Sequence, residues 1–230
     1  KAENTYCGVN CGIMDQFASA MGKKDKAILI NCKTLEYEYI PLELENYALI
    51  VANCNKPHAL VTSKYNERRA ETDEALSLLQ KELPEASCLA DITPQAFEGA
   101  KHVLPCTLLA RAQHVVYECA RVKEAASALK AGDIETLAKL INASHDSLSK
   151  LYEVTGKEPD ALAYAARETE GCIASRMIGA GFGGCTISLV EQGKTEAFKQ
   201  AVGKKYTQET GYTAAFYDTS NEDGVRIRHF

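Results

Sequence analysis

Gly179-Ala180-Gly181-Phe182-Gly183-Gly184-Cys185-Thr186-Ile187-Ser188-Leu189-Val190 is the stretch whose reading decides the fold. Its first six residues match G-x-G-x-x-G by letter. A dinucleotide-binding fold would put a strand before that fingerprint and a helix after it, so that a pyrophosphate meets the helix N-terminus. Here the glycines run straight into TISLV, a strand, and there is no Walker lysine. The dinucleotide reading is therefore refused. What remains is a loop with four glycines in six positions. Such a loop permits positive φ and close approach, and it suits either phosphate contact or a hairpin packed tightly on a helix.

Outward from that loop, residues 194–206 read as an amphipathic helix, and 214–217 and 224–229 as strands. On its N-terminal side, 108–129, 134–152 and 160–169 carry apolar residues at helical spacing, with Ala131-Gly132-Asp133 supplying a stop and a cap. Pro84, Pro94 and Gly99 break the pattern into short helices and loops. Before them, 63–83 is a charged amphipathic helix with Leu76, Leu79 and Leu83 on one face, capped by Ser63 or Thr62. YALIVAN at 47–53 is a buried strand. Residues 27–32 and 36–40 form a hairpin in which Leu35, Tyr37 and Tyr39 alternate with Glu36 and Glu38. This order predicts an α+β fold, an antiparallel sheet with helices on one face.

The stretch G-V-N-C-G-I-M-D-Q-F at 8–17 places a carboxylate at the mouth of a helix. Gly8 and Gly12 frame a turn, Asn10 is a cap, and Ile13, Phe17 and Met21 begin an apolar stripe off which Asp15 lies. An acid in the first turn is favoured by the positive end of the helix dipole, and it can also orient a hydroxyl or take its proton. Taken alone, Asp15 reads first as a helix stabiliser.

Composition excludes several classes. An apolar fraction of 46% over 230 residues supplies a real core, while the net charge of −5 gives no basic field for nucleic acid or anionic lipid. Nine cysteines at irregular spacing, without a C-x-x-C pair, read as reduced cytoplasmic thiols. Cys7 and Cys11 have no histidine nearby to complete a zinc set, so no metal site is expected in this chain. No apolar run approaches the ~18 residues of a membrane span. The opening Lys1-Ala2-Glu3-Asn4 lacks an initiator methionine and a cap, and reads as cut from something longer.

Three motifs in order, G-V-N-C-G-I-M-D-Q-F at 8–17, N-x-N…S-K-Y-N-E-R-R at 53–69 and G-A-G-F-G-G-C-T at 179–186, resemble the galactokinase family of the GHMP small-molecule kinases. The stretches from Arg111 to Glu118, Ser144 to Leu148 and Leu151 to Thr155 resemble it too, so the likeness covers essentially the whole chain. It implies transfer of the γ-phosphoryl of ATP to the anomeric hydroxyl of galactose. By resemblance Asp15 is the catalytic base, and Gly12, Asp15 and Tyr65 contact the sugar. The loop bearing Gly179, Gly181, Gly183 and Gly184 is the third family motif, lying under the active site.

The family carries a basic residue at the position of Pro57; here the charge has moved to Lys56. The family's first motif, an arginine and a Glu-His-x-Asp run that hold catalytic Asp and sugar, has no match here. Nor does its serine-rich loop, which wraps the ATP phosphates and supplies a magnesium ligand. The expectation is that residues 1–45 end an incomplete N-terminal catalytic domain and 46–230 form the C-terminal domain. ATP and Mg would then be bound largely by a missing N-terminal half, itself a partner if present as a separate piece, and the chain alone would be nearly inert. A galactokinase-like sugar sensor, and a kinase for another sugar such as N-acetylgalactosamine, stay open.

Overall fold

The computed structural model describes residues 12–44, 46–56 and 61–225, together with Thr5. The helix carrying Asp15, α1 (Met14–Met21), starts later than a cap at Asn10 would place it, with Asp15 still in its first turn. Its cap position is Ile13 with no side-chain hydrogen bond, and the anticipated cap Asn10 lies outside the described residues. None of its residues is buried; Phe17 meets the Tyr37 ring edge-on at 5.2 Å. The hairpin that follows pairs β1 (Lys26–Ile30) antiparallel with β2 (Tyr37–Pro41). Leu35 falls out of the expected alternation. It takes φ +63° in the turn and is exposed, so the half-buried face begins only at Tyr39.

A separate four-stranded antiparallel sheet, in the order β4-β5-β3-β6, is built from β3 (Tyr47–Asn53), β4 (Cys172–Ile178), β5 (Cys185–Glu191) and β6 (Ala215–Thr219). The expected final strand at 224–229 is not formed at its described residues. Instead the Gly224 and Val225 amides donate to the carbonyls of Gly22 and Ser19 at 2.7 and 3.2 Å, and Lys24 N–H donates to Asp223 Oδ1.

Among the described residues between β3 and β4 stand the α-helices α2 (Val61–Leu79), α3 (Pro94–Ala100), α4 (Cys106–Ala131), α5 (Ile134–Ser147) and α6 (Lys157–Arg167). Helix α7 (Thr195–Thr210) joins β5 to β6. Helix α2 begins at Val61, so Thr62 and Ser63 stand within its first turn rather than capping it. The α4–α5 junction follows the sequence: Gly132 takes φ +69° and Asp133 accepts from Thr136 N–H at 2.9 Å. Helix α6 starts three residues earlier than 160, because Pro159 is tolerated in a first turn whose N–H groups lack helical partners anyway. Helix α5 runs into a wider π-turn at Leu148–Tyr152, ended by Glu153 at φ +54°.

Burial explains the layering. Ile50, Ala52 and Val190 pack with Leu162 and Ala166 of α6 and Phe198, Val202 and Tyr206 of α7, covering one sheet face as expected. The other face is not bare: Leu49, Leu189 and Ala174 pack against Ala138 and Ile141 of α5. Helices therefore flank both faces, which extends the one-sided arrangement read from the sequence. The α+β, antiparallel character stands.

Helix α5 also closes the free edge of β4. Asn142 Nδ2 donates to Ile173 O and its Oδ1 accepts from Ser175 N, both at 3.0 Å, while His145 Nδ1 accepts from Met177 N at 3.1 Å. Arg167 donates to Ser175 O. Side chains thus take the place of a neighbouring strand along an edge that would otherwise be open to pairing.

Candidate active site

The glycine loop joins β4 to β5 as a hairpin connection. Gly179, Gly181, Gly183 and Gly184 all have positive φ, between 80° and 122°, and Phe182 joins them at 58°. Phe182 N–H donates to Val154 O and Gly183 N–H to Thr155 O, so two loop amides are used in docking against the turn that ends the π-segment. Of the two uses open to this loop, tight packing is the one its hydrogen bonds serve.

Tyr65 sits near the start of α2, half-buried, and lines a cavity of about 510 Å³ together with Gly179, Ala180 and Phe182. Two of the expected site elements are therefore brought together. Lys64 Nζ lies 5.7 Å from the Phe182 ring centroid, a cation–π contact across the same junction. Asp15 and Gly12 are exposed and do not line this cavity. Lys56, the displaced positive charge, donates to Glu158 Oε2 at 2.7 Å, so its charge is already answered within the fold. Pro57 lies outside the described residues.

Behind the junction is a buried charge network. Arg111 of α4 donates from Nε to Glu71 Oε2 at 3.0 Å, and its fork reaches Leu151 O at 2.5 Å and Glu153 Oε2 at 2.6 Å. Glu71 also pairs with Arg68. One guanidinium thus ties the helix of Tyr65 to the segment on which the glycine loop docks. Despite burial, Arg111 is held above the ordinary guanidinium range by Glu153 and Glu71. One turn on, His114 is stacked on Tyr152 at 4.5 Å with its Nδ1 2.8 Å from Ser147 Oγ, and burial lowers it to about 4. It is therefore neutral at pH 7. Glu118 completes the row, accepting from Ser144 and Arg121.

Sequence reading placed Arg68, Arg111 and His114 within family-like stretches without giving them work. The available signal was spacing: Tyr65 and Arg68, like Arg111 and His114, stand three apart and share a helix face.

Among the described residues no group of three or more His, Cys, Asp or Glu side chains could hold a metal ion. The Phe182 and Gly183 amides are both bonded to carbonyls of the neighbouring turn. Among the described residues no helix is long and apolar enough to cross a membrane.

Residues 125–208 match the family described as GHMP kinases C terminal. A structure of galactokinase from Lactococcus lactis in complex with galactose superposes with a TM-score of 0.93 at 46% identity, over 96% of this chain and 57% of that one. Over residues 125–208 the chain is similar to the C-terminal part of GHMP kinases. Galactokinase from Clostridium tetani is 49% identical over 226 residues, 98% of this chain and 57% of the relative. The chain thus spans less than two thirds of the length of the relatives it matches. A homoserine kinase from Cytophaga hutchinsonii, at 17% identity and a TM-score of 0.55, shares the fold alone.

Proposed function

We propose that this chain serves the ATP-dependent phosphorylation of galactose at its anomeric hydroxyl, giving galactose 1-phosphate. The observation that carries the reading is its likeness, at 46% identity over 96% of its length, to a galactokinase solved with galactose. Asp15 orients the attacking hydroxyl and takes its proton, the backbone of Gly12 meets the sugar, and Tyr65 contacts a sugar hydroxyl. The glycine loop supports this surface from below. Phosphoryl transfer depends mainly on alignment and charge neutralisation, and a carboxylate fixed near the start of a helix serves the first.

ATP and magnesium are assigned to the portion of the relatives that this chain does not span. Residues 1–45 are assigned to the catalytic domain and 46–230 to the C-terminal domain. The hairpin's separate two-stranded sheet supports that division. The cysteine usage and the need for ATP favour the cytoplasm.

The test is galactose-dependent ADP release by the 230-residue chain and by a form of the relatives' length, each with Asp15→Asn. Turnover by the long form, its loss in Asp15→Asn and silence of the short chain are expected. Turnover by the short chain, or an active Asp15→Asn variant, overturns the assignment.

A further inference from the structure

Helix α2 is anchored differently at its two ends. Toward its C-terminus Ala75 and Leu79 are fully buried in an apolar cluster with Phe97, Ala112 and Val116. Over residues 64–74, the half that carries Tyr65, only Arg68 and Thr72 are buried, and no apolar side chain is. Thr72 spends its hydroxyl on Arg69 O within the helix. Apolar burial therefore fixes one half of α2 and leaves the placement of the other to polar contacts.

The buried contact on that half is the pair of Arg68 with Glu71, and Glu71 continues to Arg111 of α4 at 3.0 Å. Arg111 reaches across the junction, donating to Leu151 O at 2.5 Å and Glu153 Oε2 at 2.6 Å. The next two residues, Val154 and Thr155, are those whose carbonyls hold the Phe182 and Gly183 amides. Two guanidiniums, Arg68 and Arg111, meet two carboxylates, Glu71 and Glu153, so the network is balanced within itself. What it fixes is the separation of Tyr65 from the glycine loop, which share one cavity wall. A planar guanidinium with donors in set directions can hold two elements at one angle, where an ammonium on a flexible stem cannot.

We propose that Arg111 is a positioning residue for the sugar acceptor: it sets Tyr65 against the glycine loop, and thereby the affinity for galactose. This role rests on the kinase reading, in which Tyr65 contacts a sugar hydroxyl. Arg111 is 5% exposed and does not line the cavity, so it acts through Glu71 and the 151–155 turn. A misplacement of about 1 Å, caused far from the chemistry, can cost about 100-fold.

Steady-state kinetics of galactose phosphorylation, by a form of the relatives' length, separates the parameters. Arg111→Lys is expected to raise KM for galactose at least tenfold, with kcat lowered less than threefold and KM for ATP unchanged, the pattern of lost uniform binding. Val202→Ala, in the core between the sheet and α6 and α7, is expected to lower stability with KM unchanged. A role in stability alone would reduce the active fraction, and so kcat, in both variants and leave KM in place. In the 230-residue chain, hydrogen exchange gives a readout without activity. Arg111→Lys should speed exchange at residues 64–74 and 179–185 at least tenfold and leave 195–210 unchanged.

Unchanged KM in Arg111→Lys, an equal rise in Val202→Ala, or faster exchange spread evenly over the chain would each overturn the positioning role while the kinase reading stands. An unmodified long form that leaves galactose untouched overturns the kinase reading, and the sugar role of Arg111 with it. If Arg111→Lys does not fold, Glu71→Gln keeps the size of the link and loses its charge. A KM raised at least threefold in that variant then supports the role, and an unchanged KM refutes it.

Discussion

A Cβ added to Gly181 would lie 2.1 Å from the carbonyl oxygen of Val154. That oxygen also accepts the Phe182 amide, so the glycine is what lets the loop reach its dock. Gly181→Ala is expected to cost at least about 3 kcal/mol, since both the contact and the positive φ oppose a side chain. Gly179→Ala, at φ +80° with nothing within 4 Å, should cost only about 1 kcal/mol. Urea denaturation of the two variants measures the difference, and equal losses would refute the docking account.

Arg111 holds three partners on two elements of the fold. Arg111→Met removes these charge-assisted bonds but leaves Glu71 with Arg68 and Glu153 in water, so a loss of about 1.5–3 kcal/mol is expected. Arg111→Lys keeps the charge but not the planar fork and should recover only part of that. The denaturation midpoint should fall with the slope against urea unchanged.

Acid should weaken the fold through His114. Burial lowers its folded-state value to about 4, against 6.5 for the unfolded ring, so the unfolded chain binds the extra proton first. This contribution is complete above the unfolded value and is lost as pH falls toward about 4. Two and a half units correspond to about 3 kcal/mol at most. Stability measured at pH 7 and 4.5 should differ by much of this in the parent chain and by clearly less in His114→Gln.

Thiol chemistry should sort the cysteines by depth. Cys32 and Cys106 are exposed, whereas Cys54 is fully buried and the Cys172 thiol is pushed up to about 11 by burial. At pH 8 iodoacetamide should modify the first two well before the last two. Early modification of Cys54 in folded protein would contradict its place in the core beneath Tyr206.

Patterns local in sequence were the legible ones. YALIVAN announced a buried strand, Gly132-Asp133 a helix stop and cap, and TISLV a strand directly after the glycines, which refused the dinucleotide reading. Features set by distant partners were not. Nothing in the spacing of Asn142 and His145 says that they meet backbone groups of β4, and this contact put α5 on the second sheet face. Leu35 has strand-like neighbours, yet the turn takes it. Of the cavity lining, Tyr65 and the glycine loop had been named by motif, while the buried pairing of Arg68 with Glu71 depends on what packs around it.

Helix α1 buries no side chain, yet the end of the described chain crosses it. A Cβ on Gly224 would meet the carbonyls of Ser19 and Ala20 at 2.7 and 2.8 Å, and Asp223 holds the Lys24 amide across 199 residues of sequence. The latch on the helix that carries Asp15 is thus closed by a segment that leaves the ribosome long after the helix does. During synthesis that helix must wait, and the end of α1 is fixed only once residues 223–225 have arrived.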